Sequence, residues 1–171
     1  MRYEQVKLAE AAQHFGRLSQ IVADVRVKTG REPIDAMPML EAFAKRGDTA
    51  ALAWDGNQLV GVTCLGLCHH FIAGPEWLPI KVLLAREGYD LSKMGCSHFV
   101  YLSPDYWGGG GTFALTEASR HSNPAVTHTL AHTLPSKEME DWAAALPGMV
   151  DIGLPNPNGD RVFVRELDPQ E

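Results

Sequence analysis

No long apolar run occurs anywhere in the 171 residues, and no apolar stretch of the leader-peptide kind opens the chain. A bilayer needs about twenty consecutive apolar residues, so no membrane partner is expected and the predicted location is the cytoplasm. Cysteine is scarce. Cys64, Cys68 and Cys96 are an odd set in a chain long enough to bury a core without covalent staples, which suits a reducing compartment. A basic surface is missing as well: the net charge of −6 and pI near 5.6 disfavour nucleic acid and anionic lipid, and suit an amine or cationic substrate better. The chain has no nucleoside-triphosphatase loop, no G-x-G-x-x-G fingerprint and no nucleophile-elbow sequence. Internal repeats are absent too. Hydrophobic content of 45% and charged content of 21% are ordinary, so residues 1–171 are expected to form one globular domain.

What is present in unusual measure is glycine in one place. Residues 102–120 read LSPDYWGGGGTFALTEASR: the end of a strand, a turn, four consecutive glycines and a helix. Each glycine loses more backbone freedom on folding than any other residue, so ordering four of them calls for compensation. A ligand that needs bare N–H groups at close range supplies it. Glycine amides opening a helix form a concave anion site, reinforced by the positive end of the helix dipole, and point to a phosphate. The alternative is a flexible surface loop.

Leu8, Ala11, Phe15, Leu18, Val22 and Val25 follow at spacings of three and four and predict an amphipathic helix that Gly30 ends. A second helix carries Met37, Leu40 and Phe43 and stops at Gly47, and both helices are expected to precede any strand. Asp55-Gly56-Asn57 between the apolar runs 50–54 and 58–67 predicts a β-hairpin. From Phe71 to Gly95, with Gly74, Pro75 and Pro79, the pattern breaks into an insertion that could hold a short helix over 80–86. Strands are then predicted over 98–102, 125–132, 150–154 and 161–167, and helices over 112–121 and 136–146.

This order, with Leu102-x-Pro104-Asp105-Tyr106 leading into the glycines and Asp141 to Gly153 further on, resembles the GNAT family of N-acetyltransferases. The resemblance implies an α/β fold of the α+β kind, with a central, mostly antiparallel twisted sheet flanked by helices. It implies acetyl-CoA as co-substrate, an amine of a small molecule or peptide as acceptor, direct transfer between them, and it allows a homodimer. CoA contacts would come from Val100 and Leu102 on the strand and from Trp107, Gly108, Gly109, Gly110, Gly111, Thr112 and Phe113 at the turn and helix start. Trp107 stands where the family has Arg or Gln, Thr112 where it has Gly or Ala, and about Ala144 where it often has a Tyr acid. The insertion would face the acceptor. These departures keep open a second reading, a GNAT-like protein that binds acyl-CoA or another phosphorylated ligand without transferring an acyl group. A third reading is an α/β domain whose loop is only structural.

Acyl transfer to an amine needs a base. His98 shares strand parity with Val100 and Leu102, whereas a bulge in that strand would favour Tyr101 or Ser103; His128, on the following strand, is a further candidate. Cys64, Cys68, His70, Cys96 and His98 are zinc-type ligands, but a strand spreads Cys64 and Cys68 by about 13 Å, so no metal is expected.

Overall fold

The computed structural model describes residues 1–133 and 147–168, which fall into two compact units: Met1–Gly66 with Ser97–Asn123, and Leu67–Cys96 with Pro124 onward. The helix expected over 136–146, with Ala144, lies outside the described residues. The strand order is β1 (Arg2–Lys7), β2 (Thr49–Asp55), β3 (Gln58–Leu67), β4 (Met94–Leu102), β5 (His128–Thr133), β7 (Arg161–Glu166) and β6 (Met149–Pro155). β4 pairs in parallel with β5, while β1 with β2, β2 with β3, β5 with β7 and β6 with β7 run antiparallel. This is a mixed α/β architecture with a seven-stranded sheet flanked by helices.

In the first unit the sheet is covered on both faces. A 3₁₀ stretch, Leu8–His14, leads into α1 (Phe15–Lys28), and α2 (Met37–Lys45) follows. Leu8, Phe15, Leu18, Val22 and Leu40 pack against Ala50, Leu52, Val62 and Cys64 on one face. On the other, Leu115 of α4 (Gly111–Arg120) packs with Ala51, Ala53, Val60 and Leu102. Two covered faces explain why β2 and β3 read as near-continuous apolar runs rather than alternating ones. A strand does precede the helices: β1 is a half-exposed edge strand whose Arg, Glu and Lys side chains hide its β character from a hydrophobic pattern.

Gly61 sits where β3 meets the end of β4. A Cβ there would lie 2.9 Å from both the Tyr101 carbonyl oxygen and Leu102 Cδ1, and 3.1 Å from Leu115 Cδ2. Gly61→Ala is therefore expected to destabilise the protein by about 1–3 kcal/mol through overpacking, measured as a lower midpoint in urea with unchanged slope.

In the second unit, α3 (Leu78–Arg86) lies within the segment expected to be an insertion. It is no loose embellishment. Ile80 and Leu84 are 2% and 0% exposed, and they join Cys68, Ile72, Met94, Cys96, Leu130, Val162 and Val164 in the unit's core. The segment also ends earlier than the sequence suggests, because β4 begins at Met94. No helix among the described residues is long and apolar enough to cross a membrane.

Candidate functional site

β4 carries a bulge at its centre. Phe99 has φ of 52°, the only non-glycine with a positive φ among the described residues, and such a conformation costs about 1–3 kcal/mol and persists only where its surroundings impose it. One extra residue resets the alternation of side chains. Before the bulge Ser97 faces α4, its Oγ 3.2 Å from that of Ser119, and after it Leu102 packs on the same side. His98, Phe99 and Tyr101 face the α1–α2 side instead. The parity expected to join His98 with Val100 and Leu102 is thus broken: His98 and Tyr101 share a face, and Leu102 packs on the other.

On that face His98 belongs to a buried charged cluster. Asp48, its side chain 1% exposed, accepts Arg46 Nε on Oδ1 and Arg46 Nη2 on Oδ2, both at 2.7 Å, and lies 2.7 Å from His98 Nε2 through Oδ2. Burial pushes the Asp48 carboxyl up, but hydrogen bonds from His98 and Arg46 and their charges outweigh it and hold the group below the usual carboxylate range. Phe43 of α2 covers the cluster, edge-on to the His98 ring at 4.7 Å and beneath the Arg46 guanidinium at 4.8 Å. Phe99 and Tyr101 continue this aromatic wall, with ring centroids 4.8 Å apart.

A carboxyl whose folded pKa is depressed adds stability that is complete above its unfolded value, 3.8, and disappears as pH falls through the lower folded value. Stability should decline on acidification below about pH 4, and Asp48→Asn should flatten that decline while lowering stability at neutral pH. Urea unfolding at several pH values measures both.

β4 ends in a tight descent to the glycines. Ser103 N–H donates to the Val60 carbonyl, Pro104–Tyr106 makes one 3₁₀ turn, and Tyr106 Oη donates to Asp55 Oδ2 at 2.8 Å. Trp107 folds back, its indole Nε1–H donating to the Leu102 carbonyl at 2.8 Å. The four glycines then divide by role. Gly108 and Gly110 have φ of +89° and +74°, which only glycine adopts without strain; Gly111 is held close, with Leu102 Cδ2 at 3.0 Å from its would-be Cβ. Gly109 has neither constraint, and a Cβ on Gly108, Gly109 or Gly110 would meet open space. α4 starts at Gly111 with Gly110 as its cap and no side-chain capping bond, so Thr112 is inside the helix rather than capping it. The first amides of a helix have no intrahelical acceptor, and here they open beside three glycines whose side-chain space is empty. Phe113 and Trp107, 39% and 43% exposed, flank them.

His128 lies in the second unit at the start of β5, with Nδ1 2.9 Å from Thr127 Oγ1 and its ring edge-on to Tyr89. The three cysteines are buried and unbridged, and burial pushes the thiols of Cys64 and Cys68 up. Among the described residues no group of three His, Cys, Asp or Glu side chains could hold a metal ion. Sequence reasoning missed Asp48 and Arg46. The one signal for them, Arg-Gly-Asp between a helix stop and an apolar strand, reads first as an ordinary polar turn.

In sequence the chain matches no protein-family model and no curated protein. In structure it is similar over almost its whole length to several solved proteins. An acetyltransferase from Thermus thermophilus is 14% identical with a TM-score of 0.61, covering 98% of each chain. The aminoglycoside acetyltransferase AAC(6')-Ib in complex with coenzyme A is 15% identical with a TM-score of 0.65, covering 96% of this chain and 95% of that one. An acetyltransferase of the GNAT family from Bacillus cereus is 11% identical with a TM-score of 0.60, covering both chains fully.

Proposed function

We infer that this chain, which has the fold of the GNAT acetyltransferases, is an acyl-CoA-dependent N-acyltransferase that transfers acetyl from acetyl-CoA to an amine of a small molecule or peptide. The observation that carries the reading is the turn from β4 into α4. Gly108, Gly109 and Gly110 leave open space beside the first amides of a helix, as a pyrophosphate requires. The solved proteins of this fold include one in complex with coenzyme A. Residues 107–113 would hold the phosphates, and the backbone of Val100 and Leu102 would align the thioester. His98 is the base of this reading: the acceptor nitrogen bonds to the thioester carbon as the C–S bond breaks, and the amine proton passes to the imidazole. Tyr101, on the same face, Ser103 acting through water, and His128 are the alternatives.

The test is release of CoA thiol from acetyl-CoA with a panel of primary amines, as a function of pH. Release should depend on the amine, the rate should rise with a single ionisation, and His98→Gln should remove that limb. An unchanged profile in the variant passes the role to Tyr101, Ser103 or His128.

A protein that holds acyl-CoA or another phosphorylated ligand without transfer is the second reading. Trp107 favours it, because its side chain is committed to the Leu102 carbonyl and presents no cationic or amide group to the loop. Tight CoA binding without thiol release for any amine would select it.

A further inference from the structure

We propose that Asp48, with Arg46 behind it, is a positioning residue that fixes the tautomer and orientation of His98, so that Nδ1 is the nitrogen that takes the acceptor's proton. The proposal rests on the acyltransferase reading of the site.

Four features of the cluster carry it. Asp48 is buried and anionic, so both its oxygens can only accept hydrogen bonds. Oδ2 lies 2.7 Å from His98 Nε2, and that nitrogen must therefore bear a proton, leaving the lone pair of the neutral ring on Nδ1. Arg46 Nη2, 3.2 Å from the same nitrogen, is also a donor. Two donors do not bond to each other, so this short approach follows from their sharing Oδ2. Arg46 in turn holds Asp48 by a two-point contact, the geometry that best fixes a carboxylate plane. The ring is clamped from the side by Phe43 and followed directly by the bulge at Phe99.

This is more than structural neutralisation. A buried Arg–Asp pair satisfies its own charges, whereas the third member here is the one imidazole on the β4 face that carries Tyr101. When the amine proton passes to Nδ1, the imidazolium gains a carboxylate partner already in hydrogen-bonding contact, with no reorganisation at the moment of transfer. Charge balances: the acceptor nitrogen gains the acetyl carbon and loses a proton to His98, and the sulfur leaves as thiolate. Arg46 and Asp48 touch His98, and Cys64 and Tyr101 pack in the same core, where burial keeps the Cys64 thiol neutral.

The experiment combines imidazole ¹⁵N spectra with steady-state kinetics on the full chain. In the wild type, with His98→Gln giving the assignment, the neutral ring should be the Nε2–H tautomer; an Nδ1–H ring overturns the proposal without any activity being measured. Asp48→Asn should lower kcat about a hundredfold, the usual size of a base contribution, while KM for acetyl-CoA stays within about twofold. Asp48→Glu should restore part of kcat, since it keeps the carboxylate. Equal kcat in a folded Asp48→Asn also overturns it. Should that variant not fold, Arg46→Gln gives a second reading: Asp48 keeps its bond to His98, so the tautomer should persist and kcat should drop by less than about tenfold, and a larger drop with an unchanged tautomer overturns the assignment to Asp48. A wild type that frees no thiol with any amine overturns the acyltransferase reading and the catalytic half of this proposal, while the tautomer still judges the geometric half.

Discussion

Gly109→Val is expected to bind CoA roughly thirtyfold more weakly than the wild type and to unfold at the same temperature. The reason is the division of labour among the four glycines. Gly109 has no positive φ and no atom within 4 Å of its would-be Cβ, so a side chain there disturbs nothing the protein itself provides. Only a ligand seated on the amides would meet it. Displacing a set of charge-assisted hydrogen bonds to phosphate oxygens costs about 2 kcal/mol, which is the thirtyfold change. Gly110→Val is a poorer probe. Its φ of +74° imposes a strain of about 1–2 kcal/mol on any side chain, and its carbonyl accepts the Ala114 amide, so binding and stability should decline together. Calorimetric titration of CoA, and of CoA lacking its 3′-phosphate, against wild type, Gly109→Val and Gly110→Val separates the cases when thermal unfolding is run in parallel. Unchanged affinity in Gly109→Val would make the run a hinge and remove the physical basis of the phosphate site.

Leu84→Ala should cost about 2–5 kcal/mol of stability, whereas Val82→Ala, two residues away on the same helix, should stay within about 0.5 kcal/mol. Leu84 is fully buried in the core of the second unit; Val82 is 58% exposed. In a protein of this size roughly 2–4 °C of melting temperature accompanies each kcal/mol, so the pair is easily resolved by differential scanning calorimetry. Similar small losses in both would mean that α3 is a loosely attached specificity element, as the punctuated sequence around it suggests. A large loss for Leu84 alone ties the segment to folding and confines any contact with an acceptor to its exposed side chains, Leu78 and Val82 among them.

The two experiments fall on opposite sides of a line that runs through the whole chain. The sequence alone determined those elements whose cause is local. The stripe from Leu8 to Val25 has helical period, although Leu8–His14 winds as 3₁₀ and the α-helix begins at Phe15; Gly30 and Gly47 follow their helices with positive φ, and Asp55-Gly56 turns a hairpin between apolar strands. The glycine run between strand and helix was legible for the same reason. β1 escaped because an edge strand has only one neighbour and tolerates charge on most of its positions, leaving little hydrophobic pattern to read. α3 escaped as a core element because Ile80 and Leu84 find their partners on β5 and β7, dozens of residues downstream.

At the site the tertiary structure decided more. His98 was visible as a candidate from its residue type, but its partner Asp48 lies fifty residues earlier and is joined to it only when β2 and β4 enter one sheet. The face on which His98 stands was decided by a single residue in a strained conformation, Phe99, and no local preference of phenylalanine encodes a φ of 52°. Packing on both sides of β4 imposes it. Likewise four identical glycines carry no mark of which one bends the chain, which one packs and which one faces open space. That distinction arises from Leu102 lying over Gly111 and from the direction in which α4 leaves the turn. Local physics wrote the elements, and contacts between distant residues assigned the chemistry to particular atoms.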